Sequence, residues 1–153
     1  MPGLPPYAQL LRLVSVPATD GAPALMRMPA HDGVVGRPGF LHGGAIAGLL
    51  EFTAFAALRA ALGEEAAVIK PITVTVDYMR GGKLEETTAR AEIIRLGQRI
   101  ANLEVRAWQD DEHAPIAMAR LNLLLERPEK AQLPPSLAKP AQQLSPSLAK
   151  PAQ

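Results

Sequence analysis

Four residues near the middle of the chain have types and spacing that could polarise a carbonyl group. His42, Gly43 and Gly44 are consecutive, and Glu51 follows on the same segment. A helix that starts at these glycines offers unpaired backbone N–H groups and the positive end of its dipole, and glycines let a substrate oxygen approach closely. A desolvated carboxylate gains basicity, which is how carboxylates are often tuned for acid–base work. The pattern predicts a site with a carbonyl-binding helix start and a reactive carboxylate.

Glu51 lies in a strongly apolar segment. Within residues 44–62 only Glu51 and Arg59 carry charge. None of the neighbours of Glu51 three or four positions away on a helix can pair its charge: Ala47, Gly48, Ala54 and Phe55. An unpaired carboxylate on a buried helix is costly unless a group outside the helix compensates it. Two roles remain open, a structural one in which Glu51 reaches a backbone amide, an arginine or solvent, and a catalytic one.

The distance between Gly43 and Glu51 constrains any shared site. On one helix the two residues are roughly 12 Å apart, at about 1.5 Å per residue. A single chain could not easily aim both groups at one carbonyl. Two chains related by a two-fold axis, with their helices antiparallel, could bring Gly43 of one to Glu51 of the other. The spacing indicates a site between subunits.

Composition is typical of one soluble domain. The 153 residues are 48% hydrophobic, and 16 basic against 15 acidic residues leave a net charge of +1. This length can bury one core, and this charge does not favour nucleic acid or an anionic membrane. There is no cysteine, which excludes thiolate chemistry and fits a reducing compartment. We see no secretion leader and expect a cytoplasmic protein.

The apolar segment is almost long enough to cross a membrane. Gly44 and Gly48 even form a GxxxG pair. A glutamate near the middle and an arginine two turns later would be costly in lipid. We therefore expect a helix that is surrounded by protein and ends at Gly63.

The rest of the chain predicts a sheet. A short opening helix fits "PPYAQLLRLV", and one or two short extended pieces fit residues 22–39. Four strands then follow from alternating apolar residues, over about 66–79, 87–94, 101–108 and 117–126. Short turns such as "RGGK" predict that these four form a sequential antiparallel meander. Its apolar side needs a cover, so we predict an α+β fold, a curved antiparallel sheet wrapped around one long apolar helix.

The end of the chain has a different composition. "QLPPSLAKPAQ" from Gln132 is followed by "QLSPSLAKPAQ" from Gln143, an imperfect repeat of 11 residues. These units have too little apolar surface to fold alone. We predict a domain over residues 1–126 and a flexible Pro-rich tail over 127–153.

At "HGGAIAGLLE" and "VTVDYMRGGKLEE" the chain resembles the hotdog-fold acyl-CoA thioesterases of the PaaI and 4-hydroxybenzoyl-CoA thioesterase type. The resemblance extends from about Gly33 to Glu126. It implies a homodimer, often paired into a tetramer, in which long central helices are wrapped by sheets that join across the dimer. It implies hydrolysis of acyl-CoA thioesters without a cofactor or metal. Aryl, medium-chain and branched acyl groups all stay open.

The same resemblance assigns roles to residues. Gly43 is implied as the backbone donor to the thioester carbonyl, and His42 as an orienting group beside it. Glu51 of the partner chain is implied as general base or nucleophile, and the sequence leaves that choice open. One position departs from the family, because many relatives carry Asn or Gln six positions before the histidine, where this chain has Gly36. Gly44 belongs with the substrate-binding residues.

Other polar and charged residues are also considered as site residues. Arg80 and Lys83 flank a Gly-Gly turn and are candidates for holding CoA phosphates. Thr53 is interpreted as a helix-surface hydroxyl and Asp77 as a solvated strand residue. The histidines and acids at 31–32 and 110–113 have no metal-ligand spacing and are interpreted as loop polarity. No nucleotide loop or basic aromatic stripe is present, so we expect no nucleic-acid partner.

Two other functions fit the same fold. A hotdog hydratase or dehydratase also uses a helix-start amide, but it needs a differently placed His and acid pair. A non-catalytic acyl-CoA-binding dimer would use Glu51 only structurally. Turnover of an enoyl-CoA without thioester cleavage would favour the first, and binding without turnover would favour the second.

Overall fold

The computed structural model describes residues 4–19 and 24–128. Its helices and strands follow in the order α1 (Pro6–Leu10), β1 (Val14–Val16), β2 (Leu25–Met28), β3 (Val35–Arg37), β4 (Phe40–Leu41), α2 (Gly43–Leu62), β5 (Val68–Tyr78), β6 (Thr87–Leu96), β7 (Ile100–Trp108) and β8 (Ala117–Glu126). A 3₁₀ turn over Asp32–Val34 leads into β3. The repeats predicted for the tail lie outside the described residues.

The long helix α2 has clear signals at both ends. His42 is its N-cap residue in an extended conformation, and the helix interior contains no proline. Gly63 ends it with φ +57°, a conformation that residues with a Cβ rarely adopt. The predicted helix and its stop are therefore confirmed. Arg59, the second charge of the apolar segment, donates to the Ala67 carbonyl at 2.9 Å beyond this end.

Six strands form one antiparallel sheet in the order β1-β2-β6-β7-β8-β5, and β3 and β4 pair separately. The sheet packs one face against α2. Its predicted apolar rows are confirmed on β7 and β8, where every inward residue is buried: Ala101, Leu103, Val105, Ala107, Ala117, Ala119, Leu121, Leu123 and Leu125. On the helix, Leu49, Leu50, Ala54 and Leu58 are fully buried against them. The predicted α+β fold, a curved antiparallel sheet around one long apolar helix, is confirmed.

The predicted four-strand meander is wrong at its first strand. β5 pairs with β8 and lies at the edge of the sheet, whereas β6 pairs with β2 and β7. The "RGGK" segment is a crossover that packs on β4: Leu41 donates its N–H to Gly82 at 2.9 Å. A Cβ at Gly82 would lie 2.8 Å from the Ile116 side chain. Gly82 thus allows close packing against Ile116 and does not form a hairpin turn. The two adjacent glycines, which are typical of such turns, led to the wrong prediction of a hairpin between β5 and β6.

The edge strand β5 is incompletely covered. Val74, Val76 and Tyr78 stand opposite buried residues of β8 and so face the helix side of the sheet. Val74 and Tyr78 nevertheless keep 36% and 54% of their surface exposed. The apolar row of β5 therefore extends beyond the cover that α2 provides.

Helix α2 meets the length and hydropathy of a membrane span, with a mean hydropathy of 1.6 over its most apolar window. Half of that window is buried inside the fold. Its apolar character follows from its position in the core, as predicted.

Candidate active site

Within the described part of the chain, the first turn of α2 has one backbone donor without an acceptor. A helix leaves its first four N–H groups without partners inside the helix, here those of Gly43, Gly44, Ala45 and Ile46. The His42 side chain accepts from Gly44 at 2.9 Å through Nδ1, and the His42 carbonyl accepts from Ala45 and Ile46 at 3.0 and 3.2 Å. Among the described residues nothing accepts from Gly43. Its N–H is left at the positive end of the helix.

His42 is held by its own backbone and side chain. Its N–H donates to the Val34 carbonyl at 2.8 Å, and its ring accepts at Nδ1 from Gly44. A neutral imidazole that accepts at Nδ1 carries its proton on Nε2. The residue is exposed, so Nε2–H is available to a ligand beside Gly43.

Gly36 lies directly against the histidine. A Cβ at this position would stand 2.8 Å from the His42 Cα and 3.1 Å from its nitrogen. Those are backbone atoms that cannot move aside without shifting the N-cap. The space beside Gly36 is thus occupied by the backbone of His42.

The two tyrosines of the chain both reach the start of α2. Tyr78, at the end of β5, donates its hydroxyl to the Gly43 carbonyl at 2.8 Å. Tyr7, on α1, donates to the Gly44 carbonyl at the longer distance of 3.3 Å. A Cβ at Gly43 would lie 3.3 Å from the Tyr78 ring. The alternation of apolar residues that predicted a strand over 66–79 gave no indication of this contact.

Glu51 is partly exposed in the single chain, although the sequence suggested burial. The other side of α2 is buried, as Leu49 and Thr53 show with 0% and 4% of their surface exposed. Among the described residues the Glu51 carboxylate has no hydrogen bond or ion pair. It lies two helical turns from Gly43, so one chain does not bring these two groups together.

Three cations surround the crossover that precedes β6. Arg80 and Lys83 are exposed and, among the described residues, are not paired with an acid. The Arg37 guanidinium stacks on the Phe40 ring at 4.1 Å, and one of its nitrogens lies 3.8 Å from where a Cβ of Gly81 would be. The crossover is bonded to β4, which leads directly into His42. The structure adds Arg37 to the two cations that the sequence suggested.

The other residues considered have structural explanations. Thr53 is buried rather than on the surface, and its hydroxyl donates to the Leu49 carbonyl at 2.6 Å. Asp77 is exposed and pairs with Arg120 at 3.2 Å. The His31 ring accepts from Gly33 and caps the 3₁₀ turn. Within the described ranges, no group of three or more potential ligands could hold a metal ion.

Comparison with known families identifies a match over the centre of the chain. The model of the thioesterase superfamily matches residues 38–116, a range that contains α2, the crossover and strands β5 to β7. No curated protein sequence matches significantly.

Solved structures share the fold. A Bacillus halodurans protein determined with CoA has a TM-score of 0.74 at 19% identity, over 84% of this chain and 83% of that one. A Haemophilus influenzae thioesterase has a TM-score of 0.71 at 19% identity, over 83% and 87% of the two chains. A Chromobacterium violaceum protein is 31% identical over 79% of this chain and 83% of its own, with a TM-score of 0.63.

Proposed function

The chain belongs to the thioesterase superfamily, and from that premise we propose how it hydrolyses acyl-CoA thioesters and on which acyl groups it acts. Thioester hydrolysis follows from the family. The proposal is that an aryl or medium-chain acyl-CoA binds with its thioester carbonyl at the start of α2. The Gly43 N–H carries this proposal, because it is the donor of the first helical turn for which the described residues offer no acceptor. A backbone donor aimed at the oxygen where charge develops is a large contributor to acyl-transfer catalysis.

His42 supports the same oxygen or the adjacent sulfur. Its Nε2–H is left available by the hydrogen bond at Nδ1. Water attacks the carbonyl carbon as the carboxylate removes its proton, and collapse of the tetrahedral intermediate breaks the C–S bond and releases the CoA thiolate. Direct attack by the carboxylate would instead form an anhydride that water then opens. Both routes end in a free acid and CoA.

The carboxylate is Glu51 of a second copy of the chain. Gly43 and Glu51 of one chain are separated by two turns of α2, while two antiparallel α2 helices would place each Glu51 near the other chain's Gly43. The exposed edge of β5, 11 residues long, is where two sheets could join, because a long open edge is a template for strand pairing. Pairing there would also cover the apolar surface of Val74. The proposed unit is thus a homodimer, able to associate into a tetramer.

The phosphates of CoA bind at the cationic crossover. Arg37, Arg80 and Lys83 lie around a turn that is hydrogen-bonded to β4, next to the helix start. Guanidinium groups bind phosphates through paired N–H donors.

Since the chain has no cysteine, which fits a reducing compartment, the proposal places this reaction in the cytoplasm.

The test is release of free thiol from a panel of aryl- and alkyl-CoA thioesters by native protein and Glu51→Gln. We expect the variant to lose about a hundredfold or more in kcat, the usual scale of a general acid–base contribution. Glu64→Gln, an exposed acid just beyond the helix, is the matched control and should keep its rate. Full activity in Glu51→Gln at equal folding and dimer content would contradict the mechanism, and no turnover of any panel member by native protein would contradict the substrate class.

A further inference from the structure

The hydroxyl of Tyr78 is bonded to the peptide group that orients His42. We propose that Tyr78 is a positioning residue for the thioesterase reaction, acting through the Gly43–Gly44 peptide to hold His42 with its proton on Nε2. The inference rests on the proposed function for the role of His42 and Gly43. Tyr78 itself acts through the peptide and need not touch the reacting atoms.

Two hydrogen bonds meet on one peptide group. Tyr78 donates its hydroxyl to the Gly43 carbonyl at 2.8 Å. The N–H of the same peptide belongs to Gly44 and donates to Nδ1 of His42 at 2.9 Å. A hydrogen bond to a carbonyl polarises the peptide and strengthens donation by its N–H. The Tyr78 hydroxyl therefore favours the His42 tautomer that accepts at Nδ1 and donates at Nε2.

The glycines at this point fit the arrangement. A Cβ at Gly43 would lie 3.3 Å from the Tyr78 ring, and one at Gly44 would lie 3.0 Å from Nδ1 of His42. At both positions a Cβ would be in tighter than usual contact with the side chain that is hydrogen-bonded to this peptide, Tyr78 or His42. The peptide between Gly43 and Gly44 is therefore held on both sides, which keeps the Gly44 N–H directed at Nδ1 of His42.

Tyr7 provides a comparison on the neighbouring peptide. Its hydroxyl reaches the Gly44 carbonyl at 3.3 Å. The N–H of that peptide belongs to Ala45 and donates to the His42 carbonyl, not to the imidazole. Tyr7 therefore cannot influence the His42 tautomer by the route open to Tyr78.

The first test is the tautomer of His42, read from ¹⁵N chemical shifts of its ring nitrogens in the native protein. We expect the Nε2–H form, and a predominant Nδ1–H form would overturn the inference whatever the enzymatic activity. In Tyr78→Phe, which keeps the ring, we expect a measurable shift of population away from the Nε2–H form.

The second test separates positioning from packing. Tyr78→Phe should lower kcat about tenfold, the scale of one net hydrogen bond, and leave KM unchanged. Thr75→Val, which removes an exposed hydroxyl facing the other side of β5, should change neither value. Unchanged kcat and unchanged ring shifts in Tyr78→Phe would refute the inference, as would a loss caused only by lower folded fraction. Absence of turnover by native protein would instead count against the proposed function, while the ring shifts would still decide the role of Tyr78.

Discussion

At the residue scale, the chemistry depends on which donors the His42 cap leaves free. A cap that used only its side chain would leave several amides of the first turn open. Here the His42 side chain accepts from Gly44 and its carbonyl from Ala45 and Ile46, so among the described residues only the Gly43 N–H of this turn has no acceptor. The His42 cap therefore determines which N–H group can donate to the carbonyl oxygen of a substrate.

Gly43 allows that amide to be removed with little change in structure. Gly43→Pro deletes the N–H at the first helical position, where proline is well tolerated, and His42 already has the extended conformation that a following proline requires. Gly43→Ala adds the same Cβ near Tyr78 but keeps the N–H. We expect kcat to fall about 10²- to 10³-fold in the proline variant, the cost of one oxyanion donor, and to fall much less in the alanine variant.

The measurement is steady-state thiol release by both variants at equal folded fraction. Equal losses in the two would mean that the contact with Tyr78, and not the amide, causes the effect. That outcome would remove Gly43 from the proposed mechanism.

At the element scale, helix α2 has the proposed carbonyl-binding site at its N-terminal end. At its C-terminal end it is stopped by the backbone conformation of Gly63. Gly63 has φ +57° and ψ −125°, and an added Cβ would meet nothing within 4 Å. Glycine is therefore required here by the backbone conformation, and not because a side chain would meet a neighbouring atom. Arg59 bonds to the Ala67 carbonyl just beyond, so the helix end is tied to the start of β5.

Gly63→Ala should lower the free energy of unfolding by about 1–2 kcal/mol, because the backbone must leave a region that residues with a Cβ disfavour. Urea denaturation of native protein, Gly63→Ala and the exposed neighbour Glu64→Ala checks this. Glu64→Ala should stay within about 0.5 kcal/mol of native protein. An unchanged free energy of unfolding in Gly63→Ala would contradict this prediction and show that the end of the helix can change conformation without cost. Thiol release should be unchanged in folded Gly63→Ala, since the site lies at the opposite end of α2.

At the scale of the whole molecule, the edge strand decides how the site is completed. β5 pairs with β8 on one side only and carries exposed apolar residues on its helix side. A second copy that pairs there would cover this surface and continue the sheet. The proposed mechanism requires such a partner, because Glu51 and Gly43 of one chain stand two turns apart.

Mixing two inactive variants tests the shared site directly. Glu51→Gln and Gly43→Pro are denatured together and refolded, so that about half of the dimers contain one of each. In such a dimer one site receives an intact Gly43 and an intact Glu51 from different chains. We expect recovery of about a quarter of native activity in the mixture. A site contained in one chain predicts no recovery, and mixing the folded variants without exchange is the control.

Local periodicity by itself determined much of this protein. The long apolar helix with Gly63 as its stop, the inward rows of β7 and β8, and the α+β class all follow from residues close in sequence, because helix and strand periods of 3.6 and 2 residues are local properties. The cluster of His42, Gly43 and Glu51 was also recognisable from the chain alone, although its catalytic role is still a proposal.

Contacts between distant residues required the tertiary structure. The pairing of β5 with β8 instead of β6 depends on a crossover whose glycines look like a hairpin turn. The hydroxyl of Tyr78 meets the carbonyl of Gly43 across 35 positions of sequence. No local pattern predicts such a contact, since it follows from how an edge strand and a helix start are brought together by the packing of the whole sheet.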